Sequence, residues 1–221
     1  MAVVKNGMLH IYGGSETFVG SNDYGVANGS ITIEDNIHLI SINLTTSWDW
    51  KTDTVETIMN VTSDPRTGQS PPQVVRGALY QGSAEDYNFY LYGGTTSYLN
   101  TTFQGWQNTT PATYSLWAYD DTLRQEWDQF NVGPSEANRS SSGASAEAPD
   151  QGLAFYFNGE IDNGSSSATA NLMSSVQTVL DGMIVINAED HNARNLSTSI
   201  VVRNRPRIQG QMQYVPSIGE K

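Results

Sequence analysis

Phe89-Tyr90-Leu91-Tyr92-Gly93-Gly94 is the stretch on which the fold of this chain turns. Four consecutive apolar or aromatic residues leave no polar face, as a strand covered on both sides requires. The glycine pair then permits a sharp turn and a close backbone approach at the strand end. A second aromatic strand follows at Leu116-Trp117-Ala118-Tyr119-Asp120, and then a lone Trp127. The same cassette occurs earlier as Leu9-His10-Ile11-Tyr12-Gly13-Gly14, then residues 37–42, then Trp48. The second glycine precedes the tryptophan by 34 residues in the first copy and by 33 in the second. Matched spacing of this kind is an internal repeat. Tyr119 and Trp127 are wedges suited to the space between neighbouring sheets.

The order of apolar strand, Gly-Gly, Tyr-Asp strand and Trp resembles the kelch repeat, one four-stranded blade of a β-propeller. It is similar in particular to fungal extracellular or membrane-attached kelch proteins, with galactose-oxidase-like propellers in the same broad class. The resemblance puts Gly13, Gly14, Gly93 and Gly94 at the family's glycine pair. It puts Tyr119 and Asp120 at its Tyr-Asp step, and Trp48 and Trp127 at its tryptophan. The first copy departs from the pattern with Ile42-Asn43 at the Tyr-Asp step.

The rest of the chain is read outward from these cassettes. Asn6-Gly7 between two β-prone runs signals a tight hairpin, and residues 15–35 read as a long polar loop. Trp48 is expected to open the fourth strand of blade 1, and residues 60–72 to link the blades. Blade 2 is expected over 74–132, with 74–81 as its inner strand. A weaker third copy runs from 143, with 144–148 and 153–159 as strands and Asn158-Gly159 in place of Gly-Gly. Asparagine tolerates positive φ, so that exchange is mild. No Trp follows its strand at 181–187, and Leu196 or Ile200 is expected in that role. Residues 168–180 read as a short helix, and 209–215 as the inner strand of a fourth blade.

The expected fold is therefore all-β: an incomplete kelch propeller of about three four-stranded antiparallel blades plus one strand of a fourth. The blades fall at about 1–60, 74–132, 143–202 and 208–221. On this reading the chain is a fragment or truncated product, cut at both ends inside a hairpin.

Composition narrows the function classes. Twenty-three acidic residues against 11 Lys plus Arg give a formal net charge of −12, so nucleic acid is a poor partner. No apolar run approaches the length of a membrane span, and no signal peptide is visible. Cysteine is absent, which removes disulfides, thiolate metal sites and cysteine nucleophiles. It also removes the Cys–Tyr-linked copper site that the galactose-oxidase resemblance would imply. No metal-ligand spacing is present among His10, His38 and His191. No catalytic, cofactor or metal residues are therefore assigned.

Candidate N-glycosylation sites are Asn28, Asn43, Asn60, Asn100, Asn108, Asn138, Asn163 and Asn195. Random placement of 18 Asn among 43 Ser and Thr would give about three or four. The excess points to an extracellular or cell-surface location, although a cysteine-free chain also suits the cytoplasm. The loops between second and third strands run to about twenty residues, beyond an ordinary connection. They share one face with the blade connectors. Tyr24, Tyr98, Phe103 and Trp106 on that face are the candidate binding aromatics, for a protein or carbohydrate ligand. The leading expectation is a non-enzymatic interaction scaffold. The alternative is part of a galactose-oxidase-like enzyme whose catalytic residues lie outside this chain.

Overall fold

The computed structural model describes residues 1–21, 27–49, 51–95, 115–132, 140–165, 169, 172, 178–198 and 208–216. Three antiparallel four-stranded sheets carry the fold. Blade 1 is β1 (Ala2–Lys5), β2 (Met8–Tyr12), β5 (His38–Asn43) and β6 (Glu56–Asn60), paired in that order. Blade 2 is β7 (Ala78–Tyr80), β8 (Asn88–Tyr92), β9 (Ser115–Asp120) and β10 (Trp127–Asn131). Blade 3 is β11 (Ala144–Ala148), β12 (Leu153–Phe157), β15 (Met183–Asn187) and β16 (Asn192–Leu196). The architecture is an all-β arc of three propeller blades, and the described residues do not close it into a ring.

Blade 2 explains why its strands lack a polar face. Phe89, Leu91, Trp117, Tyr119 and Trp127 pack with Val3, Tyr12 and Leu39 of blade 1. The alternate residues Tyr90, Tyr92, Leu116 and Ala118 pack with Ala154, Tyr156 and Ile186 of blade 3. Adjacent side chains on a strand point to opposite faces, so both sets must be apolar when both faces are covered.

The glycine pairs lie where blades meet. Gly13 and Gly14 take φ of +62° and +89°, and Gly93 and Gly94 take +72° and +92°. A Cβ on Gly13 or Gly93 would fall 2.2 or 2.5 Å from the carbonyl of Val74 or Ser140, each on the segment entering the next blade. In blade 3, Asn158 holds φ of +54° and Gly159 +101°.

Cross-strand register corrects two expectations. Trp127 stands opposite Tyr119, which stands opposite Phe89. The matching row of blade 1 runs Leu9, Ile42, Glu56. Glu56 therefore occupies the tryptophan position, and Trp48 lies in the turn before β6, 45% exposed. Equal spacing along the chain misled here because the turn after Asn43 is longer than that after Asp120. In blade 3 the row is Ala154, Ile186, Ala193. Ala193, rather than Leu196, takes the place, and Ile200 lies outside the described residues.

The same rows align Ile42-Asn43, Tyr119-Asp120 and Ile186-Asn187. The second residue of each accepts the backbone N–H two residues on, from Thr45, Thr122 and Glu189 respectively. A carboxamide oxygen serves this turn as a carboxylate does, which is why Asp and Asn interchange.

Four further segments differ from expectation. In place of the expected loop over 15–35, β3 (Ser15–Ser21) pairs antiparallel with β4 (Ala27–Asp35), residues 22–26 lying outside the described residues. Their pairs Thr17–Ile33, Phe18–Thr32 and Val19–Ile31 are β-branched and aromatic, the types that favour a pleated ladder. In the third long loop, β13 (Glu160–Ile161) pairs with β14 (Thr178–Val179), so the expected helix gives way to strand at that end. Most of 168–177 lies outside the described residues.

The inner strand of blade 2 is shorter than 74–81, because Arg76 turns left-handed at φ +60°. Ser142 and Gln209 do the same at +59° and +58°, and a glycine follows each: Gly77, Gly143 and Gly210. Ser142 N–H donates to the Arg76 carbonyl at 2.9 Å, and Gln209 N–H to the Ser142 carbonyl at 2.6 Å. Residues 209–215 thus enter as an inner strand does, but form no ladder among the described residues. The Tyr214 hydroxyl bonds Asp150 and Gln151 instead.

Candidate functional site

Strand alternation gives the blades two ends. The blade connectors and the loops between second and third strands share one, the long-loop end. The tight turns share the other, the short-turn end. Tyr24, Tyr98, Phe103 and Trp106, expected at the long-loop end, lie outside the described residues. So do Asn100, Asn108 and Asn138. Asn28 falls on β4. Asn43, Asn60 and Asn195 are exposed, whereas Asn163 is half-buried with its Oδ1 sealed from solvent.

At the long-loop end, between blades 2 and 3, a polar group gathers around Arg76. Its guanidinium lies 3.4 Å from Glu160 Oε1 and 3.6 Å from Asp162 Oδ2. Ser142 donates to the same Glu160 oxygen at 3.0 Å, and Thr95 to Asp162 at 2.5 Å. Glu160 is completely buried, and its Oε2 has no partner among the described residues. Arg76 is 43% exposed, so the group presents one cation to solvent over two carboxylates. That arrangement holds two blades in register. It offers no nucleophile–base pair.

A second group, between blades 1 and 2, was not foreseen from the sequence. His10 Nδ1 lies 2.8 Å from Ser41 Oγ, and its Nε2 lies 3.3 Å from Asp121 Oδ1. These are the residue types of a Ser-His-Asp triad, and such sites are judged by geometry and roles. Here the geometry opposes catalysis. Ser41 and His10 are buried, and the imidazole stacks on Phe89 with centroids 4.6 Å apart. No substrate can reach the hydroxyl. The group is a polar seam in an aromatic interface. Beside it Lys5, also buried, donates to the Gln81 and Ser83 carbonyls of blade 2 at 2.6 and 2.9 Å.

Tyrosine hydroxyls stitch the remaining contacts. Tyr12 donates to Pro71, Tyr80 to Phe155 and Tyr90 to Ala188, each onto the next blade or its connector. Tyr156 donates to the Arg76 carbonyl at 3.3 Å and accepts from Gly143 N–H at 3.0 Å. Burial pushes the Tyr156 phenol up to about 12. Burial, then Asp121 and Asp120, push Tyr119 up to about 12. Such phenols stay protonated and remain donors. Asp64, on the connector from blade 1, accepts from the N–H of Gln129 on β10 at 2.7 Å and from Arg66. Arg66 in turn lies over the Phe130 ring.

No family model matches the chain. It is similar to a kelch repeat-containing protein of Arthroderma benhamiae, 26% identical over 247 residues, covering 99% of this chain and 33% of that protein. The chain thus spans about a third of the length of that curated relative. Among solved structures it aligns with YjhT over 89% of this chain and 50% of that one, at 13% identity and a TM-score of 0.45. The kelch repeats named in that relative accord with the three repeated four-stranded sheets described above. Among the described residues no helix is long and apolar enough to cross a membrane.

Proposed function

We propose that the chain is a non-enzymatic kelch-repeat interaction scaffold, acting in the secretory pathway or at the cell surface and binding a protein partner. The observation that carries this reading is the use made of the chemistry-bearing side chains. His10, Ser41 and Asp121 are engaged with one another in one blade seam, and Arg76 holds Glu160 and Asp162 in the other. A frame braced in this way suits the rigid display of a surface. The net charge of −12 disfavours a nucleic-acid partner. The exposed sequons at Asn43, Asn60 and Asn195 support the compartment.

The experiment is secretion from a eukaryotic host, glycosidase treatment, and a screen of the purified chain against arrayed peptides and glycans. Saturable peptide binding without turnover, and a mobility shift on deglycosylation, are expected. Turnover of an arrayed compound would overturn the scaffold reading. Unchanged mobility would overturn the compartment.

A further inference from the structure

Among the described residues, the short-turn end of the blades is the more distinctive surface. There the turns of blades 1 and 2 are contiguous. Leu44 N–H donates to the Gly7 carbonyl, Asn6 reaches Asp121, and Asp121 N–H donates to the Tyr87 carbonyl. Leu44, Tyr87 and Leu123 stand out of this cluster into solvent, Tyr87 at 63% and Leu123 at 85% exposure. Large apolar side chains grouped on one exposed surface mark an interaction site.

The charge of this end says what kind. Asp49, Asp53, Glu85, Asp150, Glu189 and Asp190 are all exposed on turns at this end. Among the described residues of those turns the Lys and Arg side chains are Lys51 and Arg124, and Arg124 is already ion-paired with Asp120 and Asp128. Lys5 is turned inward onto carbonyls. Carboxylates on the turns of this end therefore outnumber the cations there and share the end with the exposed apolar residues of blades 1 and 2. A neutral or acidic partner would leave them mutually repelling, and a basic one would complement them.

We infer that the short-turn end is a docking surface for a basic, apolar-bearing peptide segment of a partner protein. Leu44, Tyr87 and Leu123 receive its apolar side chains, and the carboxylates of this end its Lys or Arg. This rests on the scaffold reading and gives it a place and a chemistry.

The test uses the whole chain and fluorescence anisotropy with a labelled peptide of alternating lysine and leucine. A glutamate–leucine peptide is the control. Saturable binding of the lysine peptide alone is expected, weakening as salt rises. The double variant Tyr87→Ser, Leu123→Ser should weaken it by about tenfold or more. Phe18→Ser with Ile31→Ser, on the hairpin at the other end, should leave it unchanged. All four positions are exposed, and matching melting curves will verify folding. Undiminished binding by the Tyr87/Leu123 variant would reduce the effect to bulk charge and overturn the proposal. So would loss of binding in the Phe18/Ile31 variant, or self-association abolished by the Tyr87/Leu123 change, which would make the occupant a second copy. None of these outcomes involves turnover or deglycosylation, so the scaffold reading is tested separately.

Discussion

The N–H of Gly94 donates to the carbonyl of Ser140 at 2.7 Å, and Gly14 repeats the bond onto Val74 at 3.1 Å. The glycine before each donor makes that approach feasible, because the acceptor carbonyl occupies the space of its missing Cβ. The second glycine of blade 2 faces its own connector instead. A Cβ on Gly94 would meet the Val74 side chain at 2.7 Å and the Val75 carbonyl at 3.1 Å. Positive φ adds strain for any side chain. Gly94→Val is therefore expected to lose more than about 2 kcal/mol, above the typical substitution. Urea unfolding followed by tryptophan fluorescence will measure it, and a midpoint matching the parent would refute the account.

The two tryptophans assigned to one role by spacing should part company on truncation. Trp127 is fully buried among Tyr12, Phe89 and Tyr119, so Trp127→Ala should cost roughly 3–5 kcal/mol. Trp48→Ala, in an exposed turn, should stay within about 0.5 kcal/mol. Thermal melts of both variants decide the matter, and equal losses would restore Trp48 to the repeat.

Acid should loosen the connector between blades 1 and 2. Burial alone would raise the Asp64 carboxyl, but hydrogen bonds from Gln129, Arg66 and Thr67 outweigh it and hold the group below its ordinary value. A carboxyl lower in the folded than in the unfolded chain adds stability that is complete above the unfolded value, about 3.9. That contribution fades as pH falls through the folded one. The stability gap between parent and Asp64→Asn should therefore be widest near neutrality and narrow below about pH 4. A pH-independent gap would show that the carboxylate charge is not what matters.

The outer face of blade 1 should drive association. Two cross-strand rows, Ala2–Ile11–Ile40–Ile58 and Val4–Leu9–Ile42–Glu56, form that face. Val4 is 49% and Ile58 59% exposed. Such a face favours self-association, so sedimentation of the parent should depend on concentration. Ile58→Lys should shift it towards monomer. A parent monomeric at all concentrations would sink the prediction.

The blades were legible because each signal had one physical cause. Apolar runs such as Phe89 to Tyr92 meet sheets on both faces, and Gly-Gly marks a carbonyl passing through a Cβ position. The hairpin of β3 and β4 is less legible, because Ser, Asn and Gly at its margins give a loop-like composition around Thr17-Phe18-Val19 and Ile31-Thr32-Ile33. A second repeat, Arg76-Gly77, Ser142-Gly143 and Gln209-Gly210, spaced by 66 and 67 residues, shares a left-handed turn rather than a residue type and so leaves little trace in the sequence. The His10–Ser41–Asp121 seam could not be read, since its members come from two blades and only folding sets them within reach. The short-turn surface is not legible from loop length, because its exposure and charge are carried on short turns.

At the start of blade 3 and of the segment beyond it, the link to the preceding unit is made by main-chain atoms: Ser142 N–H to Arg76 C=O, then Gln209 N–H to Ser142 C=O. The main-chain bond itself needs only a residue that tolerates a left-handed turn, so arginine, serine and glutamine all supply it, while the Arg76 and Ser142 side chains also grip Glu160. The angular pitch from one unit to the next is thus set by the main chain, and the same step recurs where the side chains at the joint differ.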